Sequence, residues 1–112
     1  MATTVCLTLL VPTPVQQRVI DFLLAQDAAQ VEFSMHAVAA RGPLVRMQLD
    51  EERVLGFAAR TEVKLLLPQP VCEALLPPLR ALLAGCDGGF WITPVQRFEA
   101  FDATAAAAAG AA

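Results

Sequence analysis

The sequence has a single lysine, Lys64, no tyrosine and a single histidine, His36. With a formal net charge of -3 and a pI near 4.9, it has no basic surplus to grip a phosphate backbone, which argues against nucleic-acid binding. It also has no basic amphipathic helix of the kind that lies on a membrane surface. Its 3 cysteines, Cys6, Cys72 and Cys86, are widely spaced and include no C-x-x-C pair. That excludes a disulfide framework and fits reduced thiols. No apolar run reaches the roughly 20 residues that span a bilayer, so a membrane-embedded chain is not expected. The apolar start, MATTVCLTLLVP, has neither a basic leader nor a small-residue cleavage site and reads as a strand. The expected location is the cytoplasm. Walker loop, dinucleotide fingerprint, zinc-finger spacing and nucleophile elbow are all missing, and no acid–base pair stands out, so the chain is not expected to be an enzyme.

What the sequence does have is one local pattern used twice. An apolar strand stops at proline and an amphipathic helix follows. Thr4 to Val11 runs into Pro12 and Pro14, and Glu62 to Leu67 runs into Pro68 and Pro70. In the first helix Val15, Val19, Phe22 and Leu23 recur at helical spacing. Thr13, Pro14 and Gln16 read as a capping box, and the helix should end near Gln26 or Asp27. In the second, Val71, Leu75, Leu79, Leu82 and Leu83 form the apolar stripe. Pro77-Pro78 should kink or split it near Leu76, because proline removes a hydrogen bond and restrains the residue before it. Val31 to Val38 alternates as a half-buried strand, as does Phe57 to Leu67. Phe90 to Val95 closes the set.

The order is βαββαβ, an α+β, ferredoxin-like arrangement. A four-stranded antiparallel sheet would carry two helices on one face, and right-handed crossovers place the first and third strands in its centre. Residues 1–101 form a single domain, and 102–112 read as an Ala-rich, disordered tail. The sheet's other face would be uncovered and rich in apolar residues, so association with further copies is expected.

The opening strand with its proline stop, the helix Val15 to Leu24, the strand Thr61-Glu62-Val63-Lys64-Leu65-Leu66-Leu67 and the closing Phe90-Trp91-Ile92-Thr93-Pro94-Val95 resemble a small bacterial family of unknown function. That family has a PII-like fold and is similar to the CutA and PII signalling proteins. The resemblance covers roughly residues 4 to 97. It implies a homotrimer whose long connection between the second and third strands reports on a small ligand or contacts a transporter. It further implies a link to heavy-metal efflux. The chain departs from PII proteins in having no tyrosine in that connection and no glycine-and-basic turn at Leu67 to Val71, so nucleotide binding does not carry over.

Arg41, Arg46 and Arg60 cluster around the connection and could hold an anionic ligand. The competing reading pairs them, and Arg53, with Asp50, Glu51, Glu52 and Glu62 on a solvated surface. His36, Met35, Met47 and Cys86 form a second candidate set, since thioethers, thiolate and imidazole suit Cu(I) or another soft heavy metal. Against it, strand alternation puts Met35 and His36 on opposite faces, and methionine is common core filler. Trp91 and Phe90 would anchor the last strand against the core or a neighbouring subunit.

Overall fold

The computed structural model describes residues 3–26, 31–47 and 49–102. Strand β1 spans Thr4–Pro12; a 3-10 turn, Thr13–Val15, leads into helix α1, Gln16–Leu24. Strand β2, Phe33–Ala40, is followed by a short helix α2, Asp50–Leu55. Strand β3, Ala58–Pro68, helix α3, Gln69–Leu82, and strand β4, Gly89–Pro94, complete the described elements. The strands form one antiparallel sheet in the order β2-β3-β1-β4. This is the expected ferredoxin-like topology, with β1 and β3 central.

Period-two alternation builds the core. Val5, Leu7, Leu9 and Val11 of β1 and Val63, Leu65 and Leu67 of β3 all point to one face and are buried. Val19 and Leu23 of α1 and Cys72, Leu75, Leu76 and Leu79 of α3 pack against them in a single cluster. Both longer helices therefore cover the same face. Burying one Leu or Val side chain of this kind contributes about 1.5–3 kcal/mol. The opposite face carries Cys6 and Thr8, then Glu62, Lys64 and Leu66, then Trp91.

Three local expectations are corrected. α3 runs through Pro77 and Pro78 as one 14-residue helix. The carbonyls that lose their partners, those of Glu73 and Ala74, belong to exposed residues, as do both prolines; water can take the vacated bonds. Thr13 and Gln16 do not cap α1, whose N-cap is Val15. Instead the Thr61 hydroxyl donates to Gln16 Oε1 at 2.8 Å and lies 3.4 Å from the Thr13 hydroxyl, so these residues staple the helix start to β3. Thirdly, the connection after β2 contains α2, with Asp50, Glu51 and Glu52 in its first turn, where carboxylates favour the helix dipole. Gly56 ends it at φ 79°, a left-handed C-terminal stop. The expected tail, from residue 103 onward, and Asp27, the outer limit foreseen for α1, lie outside the described residues.

Leu65 is fully buried and Leu24 is 68% exposed. In urea titrations Leu65→Ala should lower stability by about 2–5 kcal/mol. Leu24→Ala should change it by less than about 0.5 kcal/mol. Equal effects would contradict the assignment of the core face.

Candidate functional site

Charge is buried at one corner of the molecule. Arg60, on β3, is only 4% exposed. By alternation its side chain leaves the sheet on the face away from α1 and α3, alongside Glu62 and Lys64. There the segment between β2 and β3 folds over it. Arg60 Nη2 donates to Asp87 Oδ2 at 2.9 Å and to the Arg46 carbonyl. Its Nη1 donates to the Ala59 carbonyl at 2.7 Å and lies 3.6 Å from Glu52 Oε2. One guanidinium thus joins two points of the β2–β3 segment, Arg46 and Glu52 of α2, to the distant turn between α3 and β4.

Each partner is fixed in turn. Asp87 accepts the Arg46 N–H at 2.6 Å, and Arg46 Nη2 donates to the Gly85 carbonyl at 3.0 Å. The Gly88 N–H donates to the Leu44 carbonyl at 2.6 Å. Gly88 has φ 97°, and a Cβ there would collide with the Leu10 carbonyl oxygen, so the turn requires glycine at this point. Glu52 accepts the N–H of Leu49 at 3.2 Å and that of Ala59 at 3.0 Å, which pins α2 to the beginning of β3. Arg60 Nε and Asp87 Oδ1 are buried without a hydrogen-bond partner, so the pair is held through Nη2 and Oδ2 alone.

Burial pushes the Asp87 carboxyl up. The Arg46 N–H, the Arg60 hydrogen bond and the charges of Arg60 and Arg46 outweigh burial and hold it below the usual carboxylate range. Elsewhere, burial, and secondarily the charge of Glu73, push the Cys72 thiol up, which keeps it protonated and unreactive.

Arg46 and Arg60 are therefore brought together, with their guanidiniums directed at protein oxygens. Arg41 is exposed and lies over Gly56. The second candidate set is dispersed. His36 lies on the uncovered face, with Nε2 3.7 Å from Glu62 Oε1, and Lys64 Nζ is 3.4 Å from the same oxygen. Met35 points to the helix-covered face and packs at the core's margin. Met47 is half-buried in the β2–β3 segment. Cys86 sits in the α3–β4 turn, with β3 and β1 between that edge and β2. Among the described residues no three of His, Cys, Asp and Glu are grouped to hold a metal ion. No described helix is long and apolar enough to cross a membrane. Asp87 was missed from sequence because its partner is 27 residues away and no local spacing links them.

A family described as proteins of unknown function, DUF3240, matches residues 1–102. The crystal structure of a DUF3240 family protein from Shewanella baltica OS155, at 2.40 Å, aligns with a TM-score of 0.71 and 17% identity. The alignment covers 91% of this chain and 100% of that one. A Bacillus cereus protein related to NIF3 aligns with a TM-score of 0.54 and 9% identity over 86% of this chain, which spans only 26% of that larger protein. At these identities the likeness establishes the fold alone. No protein of curated function matches.

The sign of the pH effect follows from the depressed Asp87 carboxyl. Its contribution to stability is fully present above the unfolded value, about 3.9, and is lost as pH falls through the lower folded value. Asp87→Asn should be less stable than the parent chain at pH 7, and the difference should shrink in acid. Asp87→Ala should cost toward the low end of about 3–5 kcal/mol, because Glu52 remains near Arg60. A pH-independent difference in urea midpoints would refute the ion-pair account.

Proposed function

The chain belongs to the DUF3240 family of proteins of unknown function, and from that premise we propose that it is a regulatory protein that acts by binding rather than catalysis. In this reading it assembles as a homotrimer on the PII and CutA pattern. The segment between β2 and β3 is the regulatory element, docked against the body in one state and released in another. The observation that carries the reading is the Arg60 joint. A surface segment is held by a buried guanidinium whose partners come from the segment itself and from the α3–β4 turn. Losing one partner leaves a buried charge uncompensated, so the joint favours two discrete positions over a continuum of partial ones.

Assembly is supported by the uncovered sheet face and its neighbouring edge. Leu66 is 44% exposed, and the consecutive edge-strand residues Phe90, Trp91 and Ile92 are 38%, 41% and 37% exposed. Leu66 and Trp91 lie on the uncovered face among Glu62, Lys64 and His36, whereas Phe90 and Ile92, opposite Leu9 and Leu7, lie on the helix-covered face of the same edge strand; apolar side chains left exposed along an open edge favour burial against another copy. The resemblance supplies a heavy-metal efflux transporter as the partner class, and that element of the proposal rests on the resemblance alone. We do not extend the proposal to copper storage, since Met35 and His36 leave β2 on opposite faces.

Two measurements test it. Light scattering after size exclusion should give a trimer, and Trp91→Glu combined with Leu66→Glu should give a folded monomer. Hydrogen exchange should show residues 49–57 opening far more readily in Asp87→Asn than in the parent chain, with β1 and β3 unchanged. A monomeric parent at every concentration would end the trimer. Uniform exchange changes across the sheet would end the two-position segment.

A further inference from the structure

Between the C-terminal half of α3 and the adjoining ends of β1 and β4 lies a partly open cleft of about 190 Å3. Leu9 and Val11 form its floor, Leu76, Leu79 and Leu83 its helical wall, and Phe90 its outer side. At the mouth stands Arg80, in the last turn of α3, with its guanidinium carbon 5.6 Å from the centroid of the Phe90 ring. No carboxylate among the described residues pairs with Arg80. Asp87 borders the cleft, and its Oδ2 accepts from Arg60 and from the Arg46 N–H rather than from Arg80. The cleft thus combines apolar walls with a cation, Arg80, that has no carboxylate partner among the described residues.

We propose that this cleft binds a small amphipathic carboxylate, with an aromatic or branched aliphatic body among the leucines and the carboxylate on Arg80. Size supports the body: an apolar cavity of about 150 Å3 suffices for benzene, so a ring with a short acidic arm fits the space and its mouth. Chemistry supports the head group: a planar guanidinium takes a carboxylate through two parallel hydrogen bonds. A cationic ligand would meet Arg80's charge, and a neutral one would forgo the charge-assisted bonds.

The inference deepens the regulatory reading and rests on it for its consequence. Asp87 and Gly88 are part of the cleft wall, and the same two residues hold Arg46 and Leu44 of the β2–β3 segment. A ligand that packs against the turn in its docked geometry therefore favours the docked segment by direct contact.

The test uses the full chain, labelled with 15N and titrated with phenylacetate, 4-methylpentanoate and the neutral phenylacetamide. The carboxylates should produce saturable shifts at the amides of Leu83, Cys86, Gly88 and Phe90. Arg80→Gln, at an exposed position, should weaken phenylacetate by about tenfold or more, as should the change to phenylacetamide. Leu83→Trp, which fills the cleft, should abolish binding. The proposal is overturned if neither carboxylate gives saturable shifts up to about 10 mM, if Arg80→Gln leaves affinity unchanged, or if the shifts fall on the uncovered sheet face. Cleft shifts with none at Val45 and Arg46 would uphold the site and count against the regulatory reading. Absence of all shifts would remove the site, while hydrogen exchange in Asp87→Asn would still decide that reading separately.

Discussion

A guanidinium that is 4% exposed sets the terms for one end of this molecule. Taking such a charge out of water costs several kcal/mol unless oxygens replace the water. At Arg60 those oxygens come from Asp87, from the carbonyls of Arg46 and Ala59, and at longer range from Glu52. No two neighbouring residues could provide them all. The chain brings the β2–β3 segment and the α3–β4 turn to the same place, with β3 inside the sheet between β2 and β1. The joint therefore depends on the topology, and the positions of α2 and of the turn depend on the joint.

That dependence explains which parts of the structure were legible in the sequence. The alternation of Val5, Leu7, Leu9 and Val11, and of Val63, Leu65 and Leu67, is a local signal repeated along each strand. It was enough to identify the strands and, with the handedness of crossovers, their order. The helical stripes of Val19 with Leu23 and of Leu75 with Leu79 were legible for the same reason. Boundaries were legible to within about two residues. One misreading falls where tertiary contacts overrode local grammar, and the others are local. Thr13 and Gln16 have the spacing of a capping box, yet their side chains turn to Thr61, 48 and 45 residues away. Asp50-Glu51-Glu52 reads as a solvated run, and Asp50 and Glu51 are indeed exposed, but Glu52 is buried and all three open a short helix that Gly56 stops. Pro77-Pro78 reads as disruptive by its lost hydrogen bonds, yet the carbonyls left over belong to the exposed residues Glu73 and Ala74, where water replaces those bonds.

The candidate site was legible only by half. Arg46 and Arg60 stood out as cations near a long connection, and the structure does bring them together. Their shared anion, Asp87, sits between Cys86 and Gly88 in a turn that reads simply as a turn. The pairing of Arg60 with Glu52 was among the salt bridges foreseen, but as a surface contact rather than part of a buried group. The metal-ligand reading of His36, Met35, Met47 and Cys86 was drawn from residue type. The sheet then separates those residues by face and by edge, which residue type does not encode.

The turn from Gly85 to Gly89 is where the separate lines meet. It ends α3, borders the apolar cleft, begins β4 and holds the β2–β3 segment through Asp87 and Gly88. Its geometry has little freedom, since Gly88 approaches the Leu10 carbonyl so closely that no side chain fits. A constrained turn transmits displacement poorly by bending and well by moving as a unit. A ligand could shift the segment only through a difference in affinity between docked and released turns, and couplings of about 1–3 kcal/mol are typical of such devices. That range is comparable to one charge-assisted hydrogen bond. In the proposed reading the bond that Asp87 accepts from the Arg46 N–H is thus of the right size to bias the docking of the segment, and the depressed Asp87 carboxyl makes its charged form the one that holds.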